Sequence, residues 1–72
     1  MGNLKKRSIQ LSGHATSLAL EPEFWIVLES IAQRRRISLA GLISELDETR
    51  GERSLASACR LAALAEAGRR EP

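Results

Sequence analysis

The chain has 72 residues, 43% of them hydrophobic and 28% charged, with a formal net charge of +2. That length allows one domain, with a core small enough to need a disulfide, a metal or a partner subunit. The single cysteine, Cys59, excludes an internal disulfide; the single histidine, His14, far from it, excludes a zinc-type ligand set; and no apolar run reaches membrane-spanning length.

A partner subunit is the remaining helper, so an obligate homodimer is expected. The opening MGNLKKRSIQ carries no apolar stretch behind its basic residues and does not read as a signal peptide. Arg7 stands where a myristoylation motif requires Ser or Thr. The expectation is a cytoplasmic, reduced protein that does not contact a membrane.

Residues 1–6 read as a flexible basic arm. A strand is expected over about 7–11, where Ile9 and Leu11 alternate with Ser8 and Gln10. Ser12-Gly13 signals a turn, and alternation resumes over about 15–20. A two-residue loop sets Leu11 opposite His14, Ile9 opposite Thr16 and Ser8 opposite Ser17. The parities then agree. Ile9, Leu11, Thr16, Leu18 and Leu20 share one face; Lys6, Ser8, Gln10, Ala15, Ser17 and Ala19 share the other. Such agreement predicts a β-hairpin. His14 is read as a turn residue that hydrogen-bonds locally.

Pro22 suits a first helical position, and Glu21 and Glu23 suit the positive end of a helix dipole, so a helix is expected over about 22–35. Phe24, Trp25, Leu28, Ile31 and Ala32 form its apolar stripe, with Trp25 read as core. Arg34, Arg35 and Arg36 close it at the negative end. Ser38 is a good N-cap for a second helix, about 39–50, carrying Leu39, Leu42, Ile43 and Leu46; Gly51 stops it. Ser54 caps a third, about 55–67, whose broad apolar face is read as Leu55, Ala58, Cys59, Leu61, Ala62, Leu64 and Ala65. Cys59 there is a small core or interface residue, not a nucleophile. Residues 68–72 form a tail, leaving a single domain over 7–67.

Charge is uneven. Lys5, Lys6 and Arg7 lie in a stretch without acids, Arg34, Arg35 and Arg36 form a second block, and acids gather at Glu45, Asp47, Glu48 and Glu52. A basic face and an acidic face follow, and a dimer doubles both blocks, which favours a polyanion partner. No Ser/His/Asp or Cys/His constellation, metal spacing or Gly-rich phosphate loop is present, so no enzyme activity, cofactor or metal is expected.

The order strand, helix, short capped turn, helix resembles the ribbon-helix-helix family of Arc/MetJ type. The likeness rests on SLALEPEFW and RRRISLAGLISEL and covers roughly residues 15–50; KRSIQLSGH before the strand and FW after it look like a small bacterial subgroup. The resemblance implies a mainly α fold with a short β-ribbon, an intertwined homodimer, here with an N-terminal β-hairpin and an extra C-terminal helix. It implies a shared dimer core of Leu18, Leu20, Phe24, Trp25, Leu28, Ile31, Leu42, Ile43 and Leu46, a set too large for one hairpin and two helices to enclose. It also implies a transcriptional regulator that lays its ribbon in the major groove of double-stranded DNA and holds a phosphate at Ser38 and Leu39.

The expected DNA contacts are therefore Ser8, Gln10, Ala15, Ser17 and Ala19 on the ribbon, Ser38 and Leu39 at the second helix, and the cations Lys5, Lys6, Arg7, Arg34, Arg35 and Arg36. Ala15 and Ala19 depart from the long polar side chains that read base edges and offer only methyl contacts, leaving Gln10 as the competent adenine reader and phosphate contacts as the main source of affinity. The alternative is a dimerisation or protein-interaction module without DNA binding, in which the apolar third helix either caps the dimer core or docks a protein partner.

Overall fold

The computed structural model describes residues 3–69; residues 1, 2 and 70–72, the outer parts of the expected arm and tail, lie outside the described residues. Two antiparallel strands, β1 (Lys5–Leu11) and β2 (His14–Leu20), precede three helices, α1 (Pro22–Arg35), α2 (Leu39–Thr49) and α3 (Leu55–Arg69). The first strand starts earlier than expected. Lys5 and Lys6 are not part of a flexible arm; they pair with Leu20 and Ala19 in the ladder. Likewise α3 continues through Arg69, into what was expected to be tail.

Ser12 and Gly13 make the hairpin. Both have positive φ, 47° and 86°, the combination a two-residue type I′ turn requires. The turn fixes the register at Leu11↔His14, Ile9↔Thr16 and Ser8↔Ser17, as the alternation predicts. One face of the ribbon is consequently apolar: Ile9, Leu11, Leu18 and Leu20 are buried against the helices. The other face points away from the core. His14 makes no side-chain hydrogen bond among the described residues, so the expected local bond is not formed; the turn is set by backbone conformation alone.

Helix α1 opens at Pro22, with Glu23 in its first turn, and closes in a Schellman-type cap. Arg36 adopts the left-handed conformation at φ 60°; its amide donates to Gln33 and the amide of Ile37 to Ala32 at 3.0 Å. The Ser38 hydroxyl oxygen accepts from the Gly41 amide at 2.9 Å and starts α2. A side chain at position 41 would place its Cβ 3.1 Å from that hydroxyl, so glycine lets the cap sit close. Ser54 caps α3 in the same way, accepting from the Ser57 amide at 3.0 Å.

The core contains Leu18, Leu20, Trp25, Leu28, Ile31, Leu42 and Ile43, with Phe24 and Leu46 packed at its margin. Within one chain the first seven are already buried and the last two partly so, although the sequence-based reading assigned the whole set to a dimer core. The reason is α3, which packs on α1, α2 and β2 and adds Cys59 and Ala63 to the core. Its buried side matches the expected one only in part, with Leu55 and Cys59 packed on the core as expected. Leu61 and Leu64 are 45% and 58% exposed, whereas Cys59, Ala63 and Glu66 face inward. Alanines surround this helix, so periodicity does not orient it; packing does. Glu66, only 6% exposed, is held by both terminal nitrogens of the Arg34 guanidinium, with Nη2 to Oε1 at 2.9 Å. That hydrogen bond raises the Arg34 pKa beyond its ordinary value.

Candidate nucleic-acid interface

The face of the hairpin turned away from the helices is built by strand parity. Its cross-strand rows are Lys6↔Ala19, Ser8↔Ser17 and Gln10↔Ala15. All six side chains are exposed or, for Ala19, partly so. Among the described residues, no hydrogen bond or ion pair ties down the side chains of Lys6, Ser8, Gln10 or Ser17. A two-stranded ribbon of this kind has the width to enter a B-DNA major groove. Two Ser hydroxyls, the Gln10 amide and the Lys6 ammonium then supply donors and acceptors, while Ala15 and Ala19 supply only methyl surface. The chain forms both strands itself.

The cations are less concentrated than expected. Arg7 shares the parity of Ile9 and Leu11 and lies on the helix side of the ribbon. Its Nη1 donates to Glu29 Oε2 at 2.7 Å, and its guanidinium lies 4.7 Å from the centroid of the Trp25 ring. Lys5 has the same parity and lines the same small cleft, with Pro22, Trp25 and Ile26. Arg34 is committed to Glu66, and Arg35 to Glu45 at 3.0 Å. These partners stand 32 and 10 residues away in sequence, and Glu29 stands 22 from Arg7, so no local pattern announces the neutralisation. Exposed ion pairs of this kind are weak, so Arg7 and Arg35 retain some freedom to exchange partners. Lys6 and Arg36 have no ion pair among the described residues.

The start of α2 offers a second feature. Gly41 and Leu42 donate their amides to the side chain and the carbonyl of Ser38. The amides of Leu39 and Ala40 have no partner among the described residues, and no acid occupies the first turn. Helix dipole and free donors together suit an anion at Ser38 and Leu39. Arg36, exposed two residues earlier, adds a cation beside them.

Elsewhere, the Arg60–Glu21 pair ties α3 to the start of α1. Arg60 bonds Glu21 at 2.9 Å and lies 5.8 Å from the centroid of the Phe24 ring, and its hydrogen bond holds the Glu21 carboxyl below the usual range. Burial pushes the Cys59 thiol up to about 11, the opposite of what a nucleophile needs. Among the described residues there is no cluster of metal-ligating side chains, and no helix long and apolar enough to cross a membrane.

A family model described as a ribbon-helix-helix domain matches residues 4–67. Compared with curated proteins and with solved structures, the chain finds no match in either.

Proposed function

This chain belongs to the ribbon-helix-helix domain family, and on that premise we propose that it binds double-stranded DNA as a transcriptional regulator, with the outward face of its β-hairpin in the major groove. Members of the family are typically DNA-binding transcription regulators that act as dimers. The observation that carries the reading is the row of exposed, untied polar side chains Lys6, Ser8, Gln10 and Ser17 on one side of a correctly registered ribbon. In this reading Gln10 reads an adenine edge, Lys6 and Arg36 neutralise phosphates, and the amides of Leu39 and Ala40 hold one more. Arg7, Arg34 and Arg35 contribute little, because each already faces a carboxylate.

Two copies acting on one duplex, in the cytoplasm, complete the proposal. If Lys6 and Arg36 of both copies neutralise about four phosphates, affinity falls by roughly two orders of magnitude between 50 and 200 mM salt. The test is a titration of random-sequence duplex at those two salt concentrations. Lys6→Ala with Arg36→Ala should weaken binding to all sequences and flatten the salt slope. Gln10→Ala should change only sequence preference. No duplex binding at the lower salt would leave the protein-interaction alternative standing.

A further inference from the structure

A shallow apolar trough runs along α3, bounded by α2 at one end and, at the other, by α2 together with Ile31, Arg34 and Arg35 of α1, on a face the proposed DNA contacts do not use. Its floor is Leu42 and Leu46 from α2 and Ala58, Leu61, Ala62 and Ala65 from α3. Leu46 and Ala62 line both of its halves, so the two depressions adjoin along α3. From Ala58 to Arg69 it extends about 17 Å, the length of three helical turns. The alanines keep it open, and Leu61, 45% exposed, lies within it.

Both ends are basic. Arg50 and Arg53 border one half; Arg34, Arg35 and Arg69 border the other. Three of the five are offset within the chain: Arg34 by Glu66, Arg35 by Glu45, and Arg50 by Asp47 at 2.6 Å. Arg53 and Arg69, one at each end, have no ion pair among the described residues. This charge pattern decides the occupant. A second copy seated face to face would set one basic end against another in either two-fold orientation, and like charges across an interface oppose docking. DNA would meet an apolar floor. An amphipathic helix with acids flanking its apolar stripe satisfies floor and rim together.

We propose that the α2/α3 trough docks an acidic amphipathic helix of about three turns from a partner protein, its apolar residues on the alanine-rich floor and its carboxylates on Arg53 and Arg69. The proposal stands independently of DNA binding by the ribbon.

The test uses the full chain and two synthetic helical peptides with the same leucine stripe, one carrying glutamates on its flanks and the other lysines. Binding is read from peptide fluorescence anisotropy. The glutamate peptide should bind, more weakly as salt rises, and the lysine peptide should not. Arg53→Glu with Arg69→Glu should weaken the glutamate peptide roughly tenfold or more and admit the lysine peptide, since both sites are exposed and reversal turns attraction into repulsion. Leu61→Ser should weaken either complex while leaving the thermal melt unchanged. Equal binding of both peptides, binding of neither, or indifference to the double reversal would overturn the proposal. A fall in the mass of the free chain on Leu61→Ser would overturn it too, by showing that the trough is filled by a second copy. Duplex binding by Leu61→Ser, which alters no charge, reports separately on the ribbon and should be unchanged.

Discussion

The indole Nε1 of Trp25 donates to the carbonyl oxygen of Lys5 at 2.9 Å, tying the first strand of the ribbon to the first helix. Arg7 lies over the same ring and reaches Glu29, so one buried tryptophan anchors the start of β1 through its edge and its face. A strand expected to begin as a loose arm is held in register with β2 by this contact. Trp25→Phe removes the donor and leaves a gap in the core, at a cost of roughly 1–3 kcal/mol. Denaturant melts should show that loss, and amide exchange should accelerate first at Lys5 and Arg7. Unchanged exchange there would mean that the ladder holds β1 without the tryptophan.

The two faces of the ribbon should respond oppositely to the same charge. Leu18 is buried in the core, and Leu18→Asp would place an unpaired carboxylate there at roughly 3–5 kcal/mol, comparable with the whole stability of a small domain. Circular dichroism should find that variant unfolded. Ser17→Asp, on the exposed face, should melt like the parent and lose duplex affinity. A folded Leu18→Asp variant would be incompatible with the observed strand faces.

Much of this was legible beforehand. Alternation through Ile9, Leu11, Leu18 and Leu20, together with Ser12-Gly13, was enough to specify the hairpin and its register, because a period of two leaves only one parity that buries all four. Ser38 announced the start of α2. What could not be read was the orientation of α3, where alanine on every side makes Ala63 and Leu64 equivalent by composition though one is buried and the other exposed. Nor could the ion pairs be read. Arg7–Glu29 and Arg34–Glu66 join residues brought together only by packing, so the arginine block seemed more available than it is. The share of the core that α3 covers was hidden for the same reason, since its small residues give no stripe to follow.

Arg36 separates stability from function. It occupies a left-handed position that costs a non-glycine residue about 1 kcal/mol. Arg36→Gly should therefore raise stability by about that amount, since the capping hydrogen bonds come from the backbone. If Arg36 contacts phosphate, the same variant should bind duplex more weakly despite melting later. Gain in both properties would assign Arg36 no role in binding.

Cys59 should behave as core. With its pKa raised to about 11 by burial, from an ordinary 9.0, the folded state favours the protonated thiol. The sign follows directly: this contribution to stability is present below pH 9 and is lost as pH rises towards 11. Iodoacetamide should leave the native protein unmodified near neutral pH and label it at the rate of unfolding when denaturant is added. Rapid labelling of the folded chain would show that α3 opens on its own.

DNA binding through the ribbon is tested by the change in backbone amide chemical shifts as random-sequence duplex DNA is added to isotopically labelled protein at about 50 mM salt, low enough to retain phosphate contacts. Shifts should appear at Lys6, Ser8, Gln10, Ala15, Ser17 and Ala19 on the outward ribbon and at Arg36, Leu39 and Ala40 beside the second helix, with Leu61 and Leu64 unmoved. Shifts confined to α2 and α3, or none at all, would contradict it.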